Sequence, residues 1–176
     1  YTVKNNIQMK RVIYIVAALL AFAVMLPSCT AKVQQGGTPK CEVVKTGIDV
    51  LQSNGFKQLQ GKKVGLVTNP SGVNNQLVST VDILANAPGV ELVALYGPEH
   101  GVRGDIHAGD KVSDDVDPKT GIPVYSLYGK TRKPTPEMLK DVDAIVYDIQ
   151  DNGCRSFTFI STLGLLMEAA AENGKE

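Results

Sequence analysis

Glu99, His100 and Arg103 fall within one short stretch, Leu95-Tyr-Gly-Pro-Glu-His-Gly-Val-Arg-Gly104. A carboxylate, an imidazole and a guanidinium sit close together, and a glutamate so placed is a candidate general acid. In glycoside hydrolysis, one carboxyl group protonates the leaving oxygen. That group must hold its proton near neutral pH, which burial or a neighbouring carboxylate brings about. Glu99 is the candidate acid, and Asp148 and Asp151 are its natural neighbours. The distance between two such carboxyls decides between retention and inversion, and both outcomes stay open. The plainer reading of Glu99 is a surface carboxylate paired with Arg103.

Three more polar clusters accompany it: Thr68-Asn69, Tyr125 to Tyr128, and Asp148-Ile-Gln-Asp-Asn-Gly-Cys-Arg155. Each follows an apolar run, so each sits at a strand end. Their convergence at one sheet edge is how an open α/β sheet builds a ligand site. Taken singly, Asn69 and Asp148 also suit plain turn or helix caps. His100, Asp105, His107 and Asp110 offer a metal site of N and O ligands as an alternative, without the spacing of a strong zinc motif. No GxGxxG, GxxxxGKS or GxSxG motif occurs, so dinucleotide, P-loop and serine-hydrolase chemistry are disfavoured. No cofactor is expected. Lys130-Thr-Arg-Lys133 reads as a solvated loop that could also attract an anionic group, such as the lactyl carboxylate of a sugar acid.

These residues need a scaffold. Helical spacing covers Thr46 to Phe56, Ser79 to Ala87, a short stretch from Pro134 to Leu139 with Thr135 as N-cap, and Ser161 to Glu172. Apolar runs mark strands at Val64 to Thr68, Glu91 to Tyr96, Ile122 to Leu127 and Val142 to Ile149. Gly97 to Gly121 reads as one long functional loop. Strands that are apolar throughout, alternating with helices, predict an α/β fold: a Rossmann-like parallel sheet with helices on both faces.

The amino-terminal part has a different character. Met9-Lys10-Arg11, then the apolar Val12 to Leu26, then Leu26-Pro-Ser-Cys29, reads as a lipoprotein signal with Cys29 as the acylated residue. An uncleaved anchor helix is the alternative. Residues 1–28 are therefore expected to be upstream residues and signal peptide, 29–40 a polar tether, and 41–176 the folded domain. The expected location is the periplasm, on a membrane-held lipid anchor. The whole chain carries 18 basic and 18 acidic side chains; losing Lys4, Lys10 and Arg11 leaves 15 against 18, a net charge of −3. Nucleic acid as a partner is disfavoured. Cys41 and Cys154 read as unpaired thiols, although export permits a disulfide. Gly174 reads as a helix stop with a further strand expected after it, so the folded domain is expected to be a truncated one.

The longest motifs together resemble a known family. They are GIDVL (47–51), GKKVGLVTNPSGV (61–73), LYGPEHGVRGDIHAGDKV (95–112), TGIPVYSLYG (120–129), KPTPEML (133–139) and DAIVYDIQDNGCRSFTFISTLGLLMEAA (143–170). In this order they are similar to the N-terminal part of the NamZ-type exo-β-N-acetylmuramidases, bacterial glycoside hydrolases. The resemblance implies a Rossmann-like domain followed by a smaller C-terminal one. It implies release of terminal N-acetylmuramic acid from the non-reducing end of peptidoglycan-derived muropeptides or saccharides, in cell-wall turnover. It points to Glu99 as catalytic residue and to Asn69, His100, Arg103, Asp148, Gln150, Asp151 and Arg155 as the lining of the sugar pocket. After Asp151 the chain departs from the family, which reads closer to VGARFYTY. Here Ser156 replaces an aromatic, and Phe157 and Phe159 lack a tyrosine hydroxyl. The family's second half is missing from the match, which would leave the cleft half-walled. A non-catalytic muropeptide-binding lipoprotein is the alternative function.

Overall fold

A computed structural model describes residues 44–105 and 115–176. The signal and tether at 1–40, with Cys29, lie outside the described residues, as do Cys41, His107 and Asp110.

Helix α1 (Gly47–Ser53) starts at a capping box, in which the Thr46 side chain accepts from the Asp49 N–H and Asp49 bonds back to the Thr46 backbone. This arrangement satisfies orphan donors of the first turn. Strand β1 (Lys63–Thr68) is buried from Val64 onward. Helix α2 (Thr80–Ala85), capped by Ser79, leads to β2 (Glu91–Gly97). Then come β3 (Asp115–Val116), β4 (Pro123–Ser126), α3 (Pro136–Leu139), β5 (Ala144–Asp148) and α4 (Phe159–Glu172). Thr135 caps α3 as expected, accepting from the Met138 N–H.

The strands form one sheet in the order β3-β4-β2-β1-β5. All pairs are parallel except β3 on β4. The expected parallel sheet is thus a mixed one, and the expected loop from Gly97 to Gly121 contains a strand. Strand β3 has two exposed residues, one of them an aspartate, so it carries no hydrophobic period. The Asp117–Gly121 turn creates it: Gly121 N–H donates to the Asp117 carbonyl, and Asp117 N–H donates to Ile122. Helix α4 begins two residues before the expected Ser161.

Two apolar clusters cover the sheet. Ile48, Phe56, Leu59, Val81 and Leu84 pack on Val64, Leu66, Leu92 and Leu95. Leu139, Val142, Leu166 and Ala169 pack on Val67, Ala94 and Tyr96. Leu92 and Leu95 would face opposite ways under strict alternation. A register shift between Val64 and Gly65 skips Val93 and returns Leu95 to the face of Leu92. Gly65 is there because Tyr96 needs the space: a Cβ on Gly65 would lie 2.8 Å from the Tyr96 ring. The buried Tyr96 phenol donates to the Met138 carbonyl at 2.7 Å, which meets the requirement for a partner.

From β1 the chain winds outward through β2 to β4, then returns to place β5 on the other side of β1. The carboxyl ends of β4, β2, β1 and β5 share one edge, and the reversal falls between β1 and β5. Open α/β sheets bind ligands at such an edge. Beside β5, Glu176 N–H donates to the Asp143 carbonyl, and the Glu176 carbonyl accepts from Ile145 N–H.

Candidate functional site

Glu99 stands just past the end of β2. Gly101 N–H donates to the Pro98 carbonyl at 3.0 Å and closes a tight turn around Glu99 and His100. His100 has φ 73° and Gly101 φ 74°. A positive φ at the third turn position favours glycine; in a histidine it costs on the order of 1–3 kcal/mol. The turn holds Glu99 half-buried above the sheet edge.

Strand β4 delivers the partner. Leu127 N–H donates to the Gly97 carbonyl at 2.8 Å, carrying the β2–β4 ladder past the last strand residue. Tyr128 follows, and its phenol donates to Glu99 Oε1 at 2.9 Å. The Glu99 carboxylate accepting that bond pushes the Tyr128 phenol above its ordinary value. Both side chains line a cleft of about 320 Å³ together with Pro98, Arg132 and, from the start of α4, Thr158 and Ser161. No side chain caps α4. The first turn of α4 is tied to the sheet by Tyr147, whose phenol donates to the Phe159 carbonyl at 3.0 Å. Burial pushes that phenol up to about 12. A larger hollow of about 400 Å³ lies near Lys63, Pro123 and Asp141. It is at the amino ends of β1 and β4, away from the edge where such sheets bind ligands.

A second group gathers at the β1–β5 reversal. Thr68 pairs with Asp148 across the ladder, and the Thr68 hydroxyl donates to the Asp148 carbonyl at 2.8 Å. The Asp148 carboxylate accepts from Thr80. Asn69 Oδ1 accepts from Ser71 N–H at 2.9 Å and from the Ser71 hydroxyl at 2.6 Å. Ser71 Oγ in turn accepts from Gln150 N–H at 2.9 Å. Gln150, Asp151 and Arg155 have exposed side chains. Asp151 accepts from Gly153 N–H in a local turn.

The sequence-predicted residues therefore divide. Glu99 lines the cleft; Asn69, Asp148 and Gln150 form the neighbouring network; Asp151 and Arg155 stand exposed beyond it. Strand β1 lies between the strands of Glu99 and Asp148, so two strand spacings, roughly 10 Å, separate their backbones. Arg103 has two acidic partners, the buried Asp117 and the half-buried Asp82. Its Nε donates to Asp117 Oδ1 at 2.7 Å, and its Nη2 to Asp117 Oδ2 at 2.9 Å and Asp82 Oδ1 at 3.0 Å. The expected alternative of a Glu99–Arg103 pair is not formed. Asp82 and Asp117 lie far from Arg103 in sequence and in different elements, so no local pattern marks them. Among the described residues, no group of three or more His, Cys, Asp and Glu side chains is placed to hold a metal ion. Cys154 is an exposed free thiol, lowered below its ordinary value by its bond to Ser156.

Gly72 fixes how closely this edge packs. A Cβ there would lie 2.1 Å from Thr68 Oγ1 and 2.7 Å from the Asp148 carbonyl oxygen. Gly72→Ala must push the turn off the β1–β5 junction. The expected cost is about 1–3 kcal/mol, typical of overpacking, read as a lower urea midpoint with an unchanged slope. A midpoint equal to the parent's would show that the junction is loose.

A doubly wound α/β domain with an acid-bearing cleft at its carboxyl edge is the class that fold and site define. The sequence pattern described as "Exo-beta-N-acetylmuramidase NamZ, N-terminal" matches residues 64–176, and the chain belongs to that family. It is 52% identical over 165 residues to the peptidoglycan beta-N-acetylmuramidase NamZ of Bacillus subtilis (strain 168), covering 94% of this chain and 40% of that protein. The chain thus spans well under half the length of this curated relative. A crystal structure of a DUF1343 family protein from Bacteroides fragilis superimposes with a TM-score of 0.69 at 70% identity, covering 75% of this chain and 33% of the other. A second DUF1343 protein of the same organism gives 0.55 at 26% identity, covering 73% and 31%.

Proposed function

We propose that this chain forms the acid-bearing part of an exo-acting β-N-acetylmuramidase, a glycosidase that removes terminal N-acetylmuramic acid from peptidoglycan fragments. The observation that carries this reading is Glu99: half-buried, at a strand's carboxyl end, in a cleft, on a chain of this family. Glu99 protonates the glycosidic oxygen as the bond to the leaving sugar breaks. Tyr128 holds the carboxyl group in place. Asn69, His100, Asp148, Gln150, Asp151 and Arg155 contribute sugar contacts along the same edge, and Asn69 is well suited because no hydrogen bond among the described residues uses its amide N–H groups. The reading is tested by release of N-acetylmuramic acid from a chromogenic β-muramide, with this chain and with the chain extended to the length of its relatives. Sugar binding without turnover in either would replace it with the non-catalytic reading.

We further propose that the protein is an exported lipoprotein held to a membrane through Cys29. The support is the Leu26-Pro-Ser-Cys29 sequence after a charged start and an apolar run. Cys29→Ser is expected to move the protein from the membrane fraction to the soluble fraction. An unchanged distribution would remove the anchor from the proposal.

A further inference from the structure

We infer that Arg132 selects the sugar, by pairing with the lactyl carboxylate that distinguishes N-acetylmuramic acid from N-acetylglucosamine. This inference rests on the muramidase reading and deepens it.

Arg132 lines the same cleft as Glu99 and Tyr128, and it is the only cationic side chain among the lining residues described. It is also close enough to Tyr128 for its positive charge to oppose the upward push from Glu99. Two other cations near this edge are engaged, whereas Arg155 stands exposed outside the cleft lining. Arg103 is committed to Asp117 and Asp82. Lys133, the neighbour of Arg132, is held by Glu168 at 3.1 Å and Glu172 at 2.7 Å on α4. Arg132 has no carboxylate within ion-pair distance among the described residues, and its side chain is exposed.

The chemistry of the ligand requires such a group. The sugar is itself a carboxylate, and its charge is costly to draw into a cleft unless it is paired there. A guanidinium in the cleft lining supplies that pairing and can take both carboxylate oxygens in a forked pair. The cleft's volume of about 320 Å³ falls at the lower end of small-molecule sites, roughly 300–1,000 Å³.

The test compares three chromogenic substrates with the full-length protein: the β-muramide, its lactyl methyl ester and the β-N-acetylglucosaminide. Arg132→Ala is expected to raise KM for the muramide about 10- to 100-fold, the loss expected for a charged hydrogen-bonded partner. Rates on the ester and the glucosaminide should hardly change. Arg132→Lys should restore part of the muramide affinity. Because Arg132 is exposed, the thermal midpoint should stay within a degree or so of the parent. Equal losses on the muramide and its ester, or no loss on the muramide, would overturn the role of Arg132 and leave the muramidase reading standing. A parent protein that cleaves none of the three would overturn both.

Discussion

Glu99→Gln is expected to lower muramide turnover by at least about 10²–10⁴-fold, the usual worth of a general acid, with no loss of stability. Glutamine keeps the length and shape of glutamate and can still accept from the Tyr128 phenol through its amide oxygen. The turn from Pro98 to Gly101 therefore keeps its contacts. What glutamine lacks is a proton to give to the departing oxygen. The same change has a spectroscopic consequence. The Tyr128 phenol is raised above its ordinary value chiefly by its bond to Glu99. With a neutral amide in that place, its titration should fall back toward the ordinary tyrosine range, followed by NMR of ring-labelled tyrosine. A variant that retained the parent rate would end the assignment of Glu99 as acid. A variant that lost activity together with its thermal midpoint would show a structural role for the carboxylate instead.

The frame of this site is legible in the sequence because it is made of long local signals. Val64 to Thr68, Glu91 to Tyr96 and Val142 to Ile149 are largely apolar runs of strand length bounded by turn residues, and each contains a strand of the sheet. The residues that follow each run must then meet at one edge of a parallel sheet, and they do. Glu99 can be named from its place after such a run. The part that is not legible is side-to-side order across the edge. Tyr128 follows the apolar run Ile122 to Leu127, yet only the pairing of β4 beside β2 brings its hydroxyl to Glu99. Asp148 lies on the far side of β1, so the acid and its expected neighbour are divided by a strand whose position no local pattern reveals. Strand β3 escaped for another reason. Two exposed residues carry no period, and their pairing is imposed by the Asp117 turn rather than by their own side chains.

That turn also bears on Arg103, where replacement is expected to cost about 3–5 kcal/mol, the usual penalty for breaking a buried ion pair from one side. The Asp117 side chain is wholly buried. It accepts two bonds from Arg103 and two from Thr120, at 2.9 Å from the backbone N–H and 2.6 Å from the hydroxyl. Chiefly because of Arg103, its carboxyl is held down to about 2, against an ordinary 3.8. A carboxyl depressed in the folded state contributes stability that is complete above its unfolded value and is lost as pH falls through its folded value. The parent should therefore lose about 2 kcal/mol between roughly pH 4 and pH 2 through this group, and Asp117→Asn should lack that component. Arg103→Leu should show the full penalty in urea at neutral pH. Arg103→Met with Asp117→Leu should recover much of it, since the orphaned charge is then removed as well. The penalty has a functional side. Arg103 lies two residues beyond Gly101 and joins the loop after Glu99 to α2 and to the β3–β4 turn, so its loss should loosen Glu99 and lower kcat. If Arg103 instead reached the sugar, replacement would raise KM with stability unchanged. The two outcomes separate a residue that positions the acid from one that binds the substrate.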